Sequence, residues 1–168
     1  SSRILRRALQ YQAMTGGRIA LHEEDPELSG HGVMNEGVVS SELGLRGVPS
    51  ISESTMIGRD AQIAGYEGGA IQIQHLSAVE SIEQIRRARA DGVDITCEVT
   101  PHHLCLTDEA VRDLDASKHK MNPPLRTETD RQALIDALID GTIDCIATDH
   151  APHAVHEKEV PYAAANMG

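Results

Sequence analysis

Phenylalanine and tryptophan are absent from this sequence of 168 residues, and tyrosine occurs three times. Without aromatic bulk, the core has to be built from Leu, Ile, Val, Ala and Met. The same shortage argues against a surface on which bases or sugar rings stack. Basic charge is also scarce: 15 Lys and Arg stand against 26 Asp and Glu, a net charge of −11. Nucleic acid and anionic membrane both call for basic surface, so neither is expected as a partner. No apolar run is long enough to span a bilayer. Cysteine is sparse, and Cys97, Cys105 and Cys145 fall at no zinc-knuckle spacing. They read as reduced thiols of a cytoplasmic protein.

What is present is the composition of a folded domain, 40% hydrophobic and 24% charged. The length permits one domain, residues 1–168, with a real core. No linker, low-complexity stretch or short repeat interrupts it.

Hydrophobic spacing and stop signals divide the chain. Ser1 to Thr15 reads as a helix ended by Gly16-Gly17, and Arg18 to Leu21 as a short strand. Pro26 to Gly32 is expected to be a loop, and Val33 to Leu45 a helix interrupted by Gly37. After a turn at Gly47-Val48-Pro49, Ser52 to Tyr66 reads as a helix that Gly68-Gly69 terminates. Ala70 to Gln74 is a strand. Ser77, with Glu80 three residues on, has the spacing of a capping box for a helix to Ala90. Val93 to Val99 is a strand, and Thr107 starts a short helix. Lys118 to Arg126 is a loop, Thr127 to Asp140 an amphipathic helix, and Ile143 to Ala147 a buried strand. Val155 to Gly168 reads as loop or partial helix. Such alternation predicts an α/β fold with a parallel sheet and crossover helices.

Each expected strand runs into ionisable or polar residues: His22, His75, Thr100 to His103, and Asp149. In a parallel sheet these carboxyl ends share one face, where α/β folds keep their chemistry. Two imidazoles and a carboxylate suit zinc. Taken singly, each His also fits a plain, half-buried imidazole. Glu23, Glu24 and Asp25 either hold His22 in one tautomer or face water. His102 and His103 are expected to be solvated or to support the site without ligating. Asn122 and Arg126 flank two prolines in a stiff loop. Asn122 can pair with an amide-like ring and Arg126 with a carboxylate, although a turn Asn and a helix-approach Arg is the plainer reading. Asp149 can bind a metal or move a proton, and His153 follows four residues later.

Five segments carry a resemblance: Leu21 to Asp25, Ile73 to Ser77, Ile95 to Leu104, Asn122-Pro123-Pro124-Leu125-Arg126 and Ala147-Thr148-Asp149-His150-Ala151-Pro152-His153. In this order they resemble the long bacterial type of dihydroorotase, in the amidohydrolase superfamily of metal-dependent (β/α)8 barrels. The resemblance implies a partial (β/α)8 TIM barrel, about strands five to eight with their helices. It implies reversible ring closure of N-carbamoyl-L-aspartate to dihydroorotate in pyrimidine biosynthesis. It further implies His22 and His75 as ligands of one zinc of a pair. Asp149 would ligate the other and shuttle the proton, and Asn122 and His153 would contact the substrate. Other cyclic amidohydrolases (hydantoinase, allantoinase) and an inactive scaffold for aspartate transcarbamoylase are the alternatives. Beyond the small-molecule substrate, the partners implied are a second copy in a homodimer or aspartate transcarbamoylase. These residues hold no His-x-His pair, no strand-four bridging group and no arginine after the pair, all of which the family carries. A complete barrel takes about 250 residues. The expectation is therefore a fragment, inactive alone and at most a weak zinc binder.

Overall fold

The computed structural model describes residues 1–113 and 116–168. Its elements in chain order are α1 (Ser2–Thr15), β1 (Ile19–Leu21), α2 (Pro26–Ser29), β2 (Met34–Asn35), α3 (Val38–Leu43) and β3 (Gly47–Val48). Then follow α4 (Ile51–Glu67), β4 (Ala70–Ile73), α5 (Val79–Ala90), β5 (Asp94–Val99), α6 (Pro101–Cys105), α7 (Glu128–Ile139), β6 (Cys145–Ile146) and α8 (Val155–Lys158). Short 3-10 turns lie at Asp108–Arg112, Ala116–His119 and Tyr162–Ala164.

Four strands form one sheet in the order β1-β4-β5-β6, and every pairing in it is parallel. The register is Ile19 to Ile71, Ile71 to Ile95, and Glu98 to Cys145. A parallel pairing leaves all the carboxyl ends on one side, so Leu21, Ile73, Val99 and Ile146 release their following loops together. This is the parallel sheet that the strand pattern predicts, in the arrangement of the partial (β/α) barrel that the resemblance implies.

The period-two alternation of the strands assigns their two faces. Ile71, Ile73, Ile95, Cys97 and Val99 are buried and meet Ile57 and Ala64 of α4, Ile82 and Ile85 of α5, and Leu134 of α7. With no large aromatic to fill space, β-branched and leucine side chains do the packing. The alternate residues Gln72, Thr96 and Glu98 are only half-buried and form a polar ladder. Thr96 Oγ1 donates to Gln72 Oε1, and Gln72 Nε2 donates to Glu98 Oε2 at 2.8 Å.

The structure corrects four local expectations. Pro26–Ser29 is helical, because the Asp25 side chain caps it by accepting from Glu27 N at 2.9 Å. Residues 33–45 are not one helix: they split into β2 and α3, and β2 pairs in parallel with β3. Asn35 is buried there, donating to Asp108 Oδ2 and accepting from Arg126. Those long-range partners override the local helical spacing. Ser77 does not cap α5, since its hydroxyl donates to Glu53, and Asp130 Oδ1 accepts from Val79 N instead. Finally, the expected buried strand 143–147 is reduced to β6, an edge strand whose two residues are exposed, with Ile146 at 53%.

Candidate active site

β1 delivers His22 and β4 delivers His75. The two rings meet edge to face with centroids 4.7 Å apart, and His22 Nδ1 lies 2.9 Å from His75 Nε2. Glu24 Oε2 accepts from His22 Nε2 at 3.2 Å. That carboxylate keeps the proton on Nε2, so Nδ1 turns a lone pair toward His75. A carboxylate behind an imidazole is the usual support of a metal-ligating histidine. Of the three consecutive acids, Glu24 alone takes this part. Asp25 caps α2, and Glu23 is 3% exposed beside Asp60. Burial, then the Asp60 charge, push Glu23 up to about 8.

Glu24 also accepts from Asn122 Nδ2 at 3.0 Å, and the same nitrogen lies 3.5 Å from His22 Nε2. One carboxylate thus links a proposed ligand to a proposed substrate contact about a hundred residues away in sequence. Burial raises the Glu24 carboxyl, but hydrogen bonds from Ser29, Asn122 and His22 outweigh it and hold it below the ordinary value.

His75 is 5% exposed. Burial, then the neighbouring His22, lower its imidazole pKa. Its Nδ1 is buried with no hydrogen-bond partner among the described residues. Its φ is 37°, and Asp149 has φ 47°; among the described residues these are the only non-glycine positions with positive φ. Left-handed backbone is unusual outside glycine, and it gathers at functional sites. The strain falls at two of the four strand ends that the sequence marks, those of His75 and Asp149.

Asp149 is exposed and lies past the edge strand β6. It lines an open cleft of about 520 Å³ with Pro101, His102, Asn122, His150 and His153. His153 Nε2 donates to the Met167 carbonyl at 2.8 Å, and Nδ1 stands 3.6 Å from Glu157 Oε2.

His102 and His103 part company. His102 is half-buried on the cleft wall, and burial lowers its pKa. His103 is 3% exposed, and burial, then His102, push it down to about 3. Arg126 is 3% exposed as well. It donates to Ser77 Oγ, Asn35 Oδ1 and the Val48 carbonyl, so it anchors the loop inside the protein rather than offering a fork to a carboxylate.

The donor chemistry fits a metal in part. Zinc–nitrogen bonds of about 2.0–2.1 Å put two tetrahedral ligands roughly 3.3 Å apart, close to the observed separation of 2.9 Å. Among the described residues, no three His, Cys, Asp or Glu side chains gather around one point. Asp149 does not complete the His22–His75 pair. Glu24, His102 and His103 were distinguishable from their neighbours only by contacts that sequence spacing does not encode.

In structure the chain is similar to D-hydantoinase (dihydropyrimidinase) from Thermus sp., with a TM-score of 0.83 at 26% identity, over 98% of this chain and 38% of that one. Sheet, strand-end histidines and likeness together define the class: an amidohydrolase-type (β/α)8 barrel, of which the chain holds a part. No protein-family model matches the chain. A dihydroorotase from Streptomyces coelicolor is 52% identical over 165 residues. Another, from Desulfotalea psychrophila, is 48% identical over 168 residues. These alignments cover 98% and 100% of this chain but 38% and 40% of the relatives' own lengths. Over its whole length, the chain is homologous to the dihydroorotases. Among the described residues, no helix is long and apolar enough to cross a membrane.

Proposed function

We propose that this chain supplies the His22–His75 side of the active site of a dihydroorotase, which interconverts N-carbamoyl-L-aspartate and dihydroorotate in pyrimidine biosynthesis. The observation that carries the reading is Glu24, which accepts from both His22 and Asn122. One carboxylate thereby registers a metal-type imidazole against a group suited to an amide ring. His22 and His75 would hold one zinc through the two nitrogens that face each other. Zinc, when bound, supplies Lewis acidity toward the ring amide carbonyl. Asn122 orients the ring, and His153 receives the substrate carboxylate. Asp149 takes a proton from the attacking water and returns it to the leaving nitrogen as the C–N bond breaks.

The test is the substrate profile of the full-length enzyme that contains this chain, against dihydroorotate, hydantoin and allantoin. Preferential turnover of dihydroorotate is expected. Preference for hydantoin would overturn the substrate assignment, and no turnover of any would favour the inactive scaffold. The chain by itself is expected to show no turnover. It is also expected to bind zinc weakly, because two nitrogen ligands fall short of the usual three or four. A tight stoichiometric zinc site in a titration of the chain would contradict this.

A further inference from the structure

The loop that carries Asn122 is gripped by a residue with no part in the chemistry above. His103 Nε2 lies 3.1 Å from the carbonyl of Pro123, the residue after Asn122. His103 Nδ1 lies 2.7 Å from Thr100 Oγ1, and the His103 amide donates to the same oxygen at 3.2 Å. One arrangement of protons satisfies all of these. A carbonyl only accepts, so Nε2 carries the hydrogen. Nδ1 of the neutral ring then accepts from the Thr100 hydroxyl, whose oxygen accepts the amide. Pro123, Pro124, Leu125 and Arg126 are all buried, so this carbonyl has no water to turn to, and an unmet buried acceptor is costly. A leucine would fill the space but leave the carbonyl unpaired.

Beyond Pro123 the chain has one link left before the site. Asn122 Nδ2 reaches Glu24 Oε2 at 3.0 Å and stands 3.5 Å from His22 Nε2. We infer that His103 is a positioning residue: through the Pro123 carbonyl, it sets where the Asn122 amide stands relative to Glu24 and His22. Arg126 fixes the far end of the same loop, and His103 fixes the end next to the functional amide. The inference rests on the reading of Asn122 as a substrate contact.

The experiment uses the full-length enzyme that contains this chain. In His103→Gln the terminal amide nitrogen stands where Nε2 stood, so the donor to Pro123 survives. His103→Asn is one methylene shorter, reaches Thr100 and loses Pro123. His103→Asn is expected to raise KM for dihydroorotate about tenfold with kcat little changed, as for lost uniform binding. His103→Gln should stay within about threefold. In an Asn122→Ala background, His103→Asn should add nothing further. Effects of His103→Asn and Asn122→Ala that multiply would overturn the inference.

If Asn122→Ala leaves the kinetics untouched, the substrate reading fails, and the Asn122 side-chain amide resonances decide the positioning. Their displacement by His103→Asn but not by His103→Gln supports it; no movement in either overturns it. If His103→Asn does not fold, Thr100→Val strips Nδ1 of its donor, with Thr100→Ser as the control. A raised KM in the valine variant alone supports the inference, and an unchanged KM overturns it.

Discussion

Asn122 and His153 reach the same cleft from opposite kinds of support. The loop of Asn122 is fastened from inside. His103 holds Pro123, Leu125 is packed away, and Arg126 reaches Ser77, Asn35 and Val48. The loop of Asp149 to His153 leaves an edge strand whose residues are exposed, and residues 148–152 are themselves exposed. His153 is fastened from outside, by the Met167 carbonyl and Glu157. A buried polar partner cannot be exchanged for water, so it fixes a position; an exposed one can be replaced. The fold therefore sets Asn122 firmly and leaves His153 dependent on residues 153–168.

The largest expected effect is on the inner fastening. Arg126→Met removes the three hydrogen bonds to Ser77, Asn35 and Val48, together with the buried positive charge that Glu53 and Asp130 favour. Each buried acceptor left unmet costs about 1–3 kcal/mol, so the three together are expected to cost about 3–5 kcal/mol. Urea unfolding of the variant measures it. A loss below about 1 kcal/mol, the usual scale of a surface pair, would erase the contrast between the two loops.

The next effect is a pH dependence with a definite sign. The folded His103 pKa lies near 3, below its ordinary 6.5. Between those values the unfolded chain binds a proton that the native chain refuses, so stability rises with pH across that window. The stability is in full above about 6.5 and is lost as pH falls toward 3. His103→Gln carries no titrating ring and should flatten this acid limb in unfolding measured at several pH values. An acid limb identical to that of the parent would place the loss elsewhere.

A smaller effect follows at the helix that leads away from Arg126. Thr127 and Asp130 form a reciprocal capping box on α7, with the Thr127 side chain accepting from Asp130 N. Thr127→Ala is expected to cost about 1 kcal/mol, read as a lowered denaturant midpoint. Thr127→Ser should recover most of it.

Strands β1, β4 and β5 and their polar ends were legible because a parallel sheet writes both into contiguous residues. Apolar alternation marks Ile71 and Ile73, or Ile95, Cys97 and Val99, and the change to His75 or Thr100 marks the strand end. Helices α1, α4 and α7 were legible from Gly16, Gly68 and Gly141, each of which follows a helix at positive φ. What stayed hidden depends on partners far away in the chain. Asn35 breaks an expected helix because it bonds Asp108 and Arg126. Ser77 looks like a cap and instead serves Glu53. Glu24 could not be separated from Glu23 and Asp25 by spacing, because all three are acids in a row and only the bond to His22 sorts them. The positive φ at His75 and Asp149 is likewise invisible to composition and periodicity.

The smallest expected effect on stability is at His153, and it sharpens the comparison most. The ring hangs on a backbone carbonyl and on a carboxylate 3.6 Å away, both near solvent. His153→Gln should change unfolding stability by less than about 0.5 kcal/mol, the range of surface substitutions. In the full-length enzyme the same substitution should weaken binding of the substrate carboxylate and raise KM. The outer loop would then be functional without being structural, the reverse of Arg126. A stability loss in His153→Gln as large as that in Arg126→Met would mean that both loops are fastened alike, and the division between an inner and an outer contact would fall.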